Sequence, residues 1–168
     1  SLRDMGAMQE DDIFFRAAIT YLPEAEFASS RFSNIPGFNC AGVVPATPGP
    51  TCVLVTGNRL PYAPDWIASA AIGYRRGEWL NTQIEVQHTG EQFGDDLNTV
   101  VQSANGQRGV IEGVTIVNWA ANVTPGGGDT TLFLTVKNVF DEVYIVDRAR
   151  GILPGAPRLV QAGLSVNF

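Results

Sequence analysis

Histidine occurs once in this chain, as His88, and cysteine twice, as Cys40 and Cys52. A single histidine excludes a multi-histidine metal centre and an HExxH protease. The cysteines stand twelve positions apart with no CxxC pair, which removes a zinc ribbon and a thioredoxin-like motif. A disulfide between Cys40 and Cys52 closing a surface loop is one use of them, and it would imply an oxidising compartment. Two free thiols are the other. Charge is also scarce, at 17% of residues against about 25% in an average domain. What charge there is sums to −6, and no basic stripe exists for nucleic acid. No GxSxG element is present, so a serine-hydrolase triad has no anchor. We expect no enzyme, no cofactor and no metal site.

Long apolar runs are missing too. No window approaches the ~18 residues of a transmembrane helix. The opening residues, SLRDMGAMQEDD, have no apolar centre of the kind a signal peptide carries. Residues 1–12 therefore read as an upstream loop segment or an expression remnant, and the chain as starting inside a larger protein. Disorder is excluded by the 45% hydrophobic content, because disordered chains are poor in apolar residues.

The chain does contain alternation. In Ile13–Leu22 the odd positions Ile13, Phe15, Ala17, Ile19 and Tyr21 are apolar or aromatic. Trp66–Tyr74 sets Trp66, Ala68, Ala70, Ile72 and Tyr74 on one face. Trp79–Thr89 opposes Leu80, Ile84 and Val86 to Asn81, Gln83, Glu85 and Gln87, with His88 on the apolar side. Thr115–Val123, Thr130–Phe140 and Val160–Phe168 behave alike, through Val117 and Trp119, Leu132, Leu134, Val136 and Phe140, and Leu164 and Val166. A period of two means strands with one apolar and one polar face.

The connections choose among β architectures. Glu24–Pro64, Gly90–Val114 and Asp141–Pro157 are long, whereas Arg75–Glu78 and Thr124–Asp129 are short, and long and short alternate strictly. Outer-membrane barrels have this pattern: long external loops, short periplasmic turns, and strands of about ten residues that alternate apolar-out and polar-in. Trp66, Tyr74, Trp79, Phe140 and Phe168 fall near strand ends, where aromatic girdles form. The reading is an all-β antiparallel meander forming part of a transmembrane β-barrel, about six strands of a larger one, since open edges in lipid leave backbone groups unsatisfied. The alternative is a soluble antiparallel β-sandwich acting as a binding or adhesion module, with the apolar face buried between two sheets.

The last third reads LFLTVKNVFDEVYIVDRARGILPGAPRLVQAGLSVNF. It resembles the C-terminal end of a TonB-dependent outer-membrane receptor through Val136, Asn138, Val139, Phe140, Asp141 and Tyr144, then Gly155, Pro157 and Arg158, then Phe168. Leu60-Pro61-Tyr62-Ala63-Pro64 before a strand resembles a further landmark of the family, and Gly90–Asp95 and Asp147–Gly155 look most like its ferric-citrate-type members. The resemblance covers 13–168. It implies the C-terminal part of a receptor that takes up an iron chelate, ferric citrate or a siderophore, across the outer membrane of a Gram-negative bacterium. It also implies as partners the rest of the barrel, a plug domain, TonB through that plug, the lipid bilayer and an anionic ferric chelate. Gln161, Gly163, Leu164, Val166 and Phe168 resemble the terminal signal read by barrel-insertion machinery. An isolated fragment should self-associate.

Arginine in the long loops suits an anionic chelate, because its planar fork matches carboxylates. Arg148, Arg150 and Arg108 are the leading candidates, with Arg31 and Arg59 behind them and Arg158 read as a structural residue at the rim. Asp147 beside Arg148 and Arg150 offers an internal ion pair instead. Asp95, Asp96 and Asn98 read as a polar loop sooner than as a calcium site, which needs 6–8 oxygens. Gly126-Gly127-Gly128 is a turn and lacks the lysine of a phosphate loop.

Overall fold

The structure is a computed structural model that describes residues 11–33 and 53–167. Its strands are β1 (Asp11–Tyr21), β2 (Trp66–Arg76), β3 (Leu80–Thr89), β4 (Gln92–Phe93), β5 (Val110–Ile111), β6 (Val114–Val123), β7 (Thr130–Lys137), β8 (Ile145–Asp147), β9 (Leu153–Pro154) and β10 (Leu159–Val166). The six long strands pair in the order β1-β2-β3-β6-β7-β10, all antiparallel. This is a meander. The small hairpins β4–β5 and β8–β9 lie in its long connections.

Register carries the alternation across the whole sheet. One row runs Phe15, Ile72, Ile84, Trp119, Val136, Val160 through all six strands. The adjacent row, one residue away on each strand, runs Phe14, Gly73, Gln83, Ala120, Thr135, Gln161. A slip of one residue anywhere would exchange the two faces. On the apolar face Phe15 is 68% exposed, Ile19 70%, Val160 61% and Leu164 59%. No second layer covers them among the described residues, which does not favour the sandwich alternative. Among the described residues the buried hydrophobic ones are Val55, Ala71 and Ile111; Val55 and Ile111 belong to the long connections, not to the apolar face. Burial is concentrated in the loops, and the sheet keeps its apolar side outward.

Polar groups on that side are satisfied internally. The Trp119 indole donates to Thr82 Oγ1 at 3.0 Å, and the Thr82 hydroxyl donates to the Ala120 carbonyl at 3.0 Å. His88 Nδ1 meets Thr115 Oγ1 at 2.9 Å. Tyr21 stacks on Trp66 at 4.0 Å where the sheet meets its long loops, and Arg76 lies over the Trp79 ring at 5.7 Å at the short-turn end. On the opposite face Arg16 donates to Gln83 across β2 at 2.9 Å. Two glycines there admit aromatic rings: Phe14 lies where a Gly73 side chain would be, and Phe133 where a Gly163 side chain would be.

One boundary differs from the alternation. β7 stops at Lys137, so Phe140 is not on a strand face; it lies in the following turn and is 67% exposed. Asn138 ends the strand by taking φ 50°, a conformation asparagine tolerates. Its side-chain amide donates to the Glu142 and Ala156 carbonyls and accepts from the Glu142 N–H. Those bonds replace the ladder that Phe140 would have continued.

Candidate functional site

The three long connections form a hydrogen-bonded cap at one end of the sheet. Asn98, at φ 51°, accepts from Arg59 N–H at 2.6 Å and donates to the Arg59 carbonyl at 2.8 Å, binding the second loop to the first as a strand would. Asn58 donates to the Asp96 carbonyl at 2.8 Å, and Ser33 donates to Asp96 Oδ1 at 2.7 Å. Tyr62, at φ 58°, donates its hydroxyl to Asp147 Oδ1 at 2.6 Å and accepts from the Arg148 N–H at 3.1 Å, which joins the first loop to the third. Burial, then the bond to Asp147, pushes the Tyr62 hydroxyl above its ordinary 10.0. The Tyr62 hydroxyl, then the Ala149 N–H at 3.0 Å, holds the Asp147 carboxyl below its ordinary 3.8.

Arg148 is 4% exposed. Its Nε donates to the Val110 carbonyl and its Nη1 to that of Gly106, each at 3.2 Å. The backbone of the second loop thus takes up donors that sequence reasoning reserved for a chelate, and Arg148 ties the second loop to the third. Arg150 stays exposed near Asp147. Arg59 is a staple, donating to the Ala63 and Leu22 carbonyls and pairing with Asp65. Arg158 clasps the end of β7, its N–H donating to Asp141 Oδ1 at 2.8 Å and its Nη1 to the Val139 carbonyl at 3.3 Å.

Arg108 and Arg31 are placed differently. Both line a cleft of about 490 Å³ where the three loops meet, together with Phe27, Asp96, Asn105 and Ala149. Arg31 lies over the Phe27 ring at 4.7 Å, and neither guanidinium has a carboxylate partner among the described residues. Asp95, on the cleft wall, is buried, and its oxygens accept from Leu97, Thr99 and Gly109 N–H groups and from the Thr99 hydroxyl. Those bonds hold the loop's shape; no group of three or more His, Cys, Asp or Glu side chains that could hold a metal ion occurs among the described residues. Cys40, Cys52 and Phe168 lie outside the described residues.

Sequence reasoning missed the Tyr62–Asp147 pair and the Asn98 clamp. Nothing in local spacing links residues 85 apart, although the Leu60–Pro64 landmark did single out Tyr62.

A sheet with one outward apolar face, one polar face and its long loops gathered at one end defines a class, a section of an outer-membrane-type β-barrel. No family model matches the chain. Among solved structures it is similar to the ferric citrate transporter FecA in its unliganded form, at 29% identity and a TM-score of 0.61, over 68% of this chain and 18% of that one. It is also similar to the siderophore receptor PiuA from Acinetobacter baumannii, at 17% identity and a TM-score of 0.67, over 91% of this chain and 19% of that one. The ferric-catecholate import receptor Fiu from K12 E. coli, in its closed form, matches at 18% identity and a TM-score of 0.54, over 66% and 15%. The last two matches speak for the fold alone. Within the barrel class, then, the chain resembles the TonB-dependent receptors for siderophores and ferric citrate. It spans about a fifth of the length of the first two receptors. By name these neighbours are receptors and a transporter.

Proposed function

We propose that this chain is the C-terminal barrel section of a TonB-dependent receptor that imports an iron chelate, ferric citrate or a siderophore, across a Gram-negative outer membrane. One observation carries the reading: the unbroken apolar row through six paired strands, left uncovered, suits hydrocarbon and nothing wet. The likeness to FecA, 29% identical over 68% of the chain, supports the ferric-citrate-type assignment.

In this reading residues 13–168 are barrel and residues 1–12 precede it. The polar face lines the lumen against a plug domain, and TonB acts through that plug. Gln161, Gly163, Leu164, Val166 and Phe168 serve as the insertion signal. The loop cap receives the ligand, and Arg108 is the residue best placed to meet an anionic chelate, with Arg31 across the same cleft. Arg150 adds positive charge at the rim. Arg148 contributes by holding the loops together, because its guanidinium is turned to carbonyl oxygens.

The test is binding of radiolabelled ferric citrate to cells that express the intact receptor. Arg108→Ala with Arg31→Ala should weaken capture about tenfold to a hundredfold, the worth of one or two charge-assisted bonds. Unchanged capture would remove this cleft from the ligand's path.

A further inference from the structure

A second cleft, of about 780 Å³, opens between the second and third long loops and shares no lining residue with the arginine cleft. Its volume is within the ~300–1,000 Å³ usual for small-molecule sites. The wall mixes polar groups with apolar ones that are open to solvent: Val100 is 66% exposed, Val143 93% and Ile152 48%. Exposed apolar groups gathered around one concavity mark a binding surface more often than scattered ones do.

Its charge differs from the first cleft's, where Arg31 and Arg108 stand together with Asp95 and Asp96. Glu112 and Glu142 line it from opposite loops, and neither carboxylate has a hydrogen bond or ion pair among the described residues. Among the described residues the one cation in the wall is Arg148, which donates to the Gly106 and Val110 carbonyls. An anionic chelate would meet two uncompensated carboxylates here, so this cleft cannot duplicate the arginine one.

We propose that this cleft is a separate binding site for a small organic cation, an ammonium group on an apolar or aromatic body. The apolar side chains would take the body, and Glu112 and Glu142 would take the ammonium from either side. The inference is independent of the iron-chelate reading, since none of its residues lines the arginine cleft.

Two isosteric probes of opposite charge, tryptamine and indole-3-acetate, test it by equilibrium dialysis against the intact receptor in nonionic detergent. Tryptamine should bind about tenfold or more tightly than indole-3-acetate, as a charge pair near a protein surface implies. The double variant Glu112→Gln, Glu142→Gln should abolish that preference while leaving ferric citrate capture unchanged. Val143→Trp, which narrows the mouth without altering charge, should weaken tryptamine binding. Failure of tryptamine to bind, equal binding of the two probes, or indifference to either variant would overturn the proposal. Loss of ferric citrate capture in the Arg108 and Arg31 variants bears only on the other cleft.

Discussion

Tyr62 and Asp147 show how much of the cap rests on single side chains. Their bond has a pH window set by both partners. Asp147 is held below 3.8, so the stability it contributes is complete above 3.8 and is lost as pH falls through its lower folded value. Tyr62 is raised above 10.0, so its contribution is complete below 10.0 and is lost as pH rises through its higher folded value. Spin labels at Ser30 and Val143, on the first and third loops, should therefore report a constant separation between pH 4 and pH 10 and a broader distribution outside that range. Tyr62→Phe should broaden it at every pH. A distribution that ignores both pH and this variant would show that the pair does not hold the loops. Residue-scale detail of this kind was only partly readable in advance. Arg148 and Arg108 are both loop arginines, and nothing in their neighbours separates them. One is buried because the second loop's Gly106 and Val110 carbonyls, some forty residues away in sequence, fold against it, and the other lines a cleft.

At the scale of elements, the six long strands were legible because each repeats one two-residue rule for eight residues or more. The hairpins β4–β5 and β8–β9 were not, since two or three residues cannot show a period. The end of β7 was misplaced because Phe140 continued the alternation while Asn138 had already turned the chain. Glycine within a strand has its own meaning. Gly163 pairs with Phe133 in register and gives its ring room to lie flat on β10, the means by which an aromatic shields a strand glycine. Gly163→Ala should displace that ring and cost about 1–3 kcal/mol, as overpacking does. Adding Phe133→Ala should make the alanine at 163 far less damaging. The shift of the heat-modified band of the intact barrel on gels reads both, and additive losses would show that the ring and the glycine are uncoupled.

At the scale of the molecule, the two faces of the sheet and the clustering of its long connections go together. The loop cap buries Val55 and Ile111 and carries most of the side-chain bonds between distant segments. The sheet below it offers lipid an apolar wall and keeps Gln83, Glu85 and Asn118 on the other side. β1 and β10 are each paired on one side only among the described residues, and such edges attract partners. In a receptor the remaining strands would take them. Alone, the fragment would be expected to self-associate through them and through the apolar face.

The direct test of the lipid-facing assignment is a cysteine scan along β3 of the intact receptor in bilayers, with a fluorophore at each position in turn and a quencher on the lipid acyl chains. Labels at Thr82, Ile84 and Val86 should be strongly quenched, and labels at Gln83, Glu85 and Gln87 should be spared. Uniform quenching, or none at Ile84 and Val86, would contradict a wall that meets hydrocarbon on one side and water on the other.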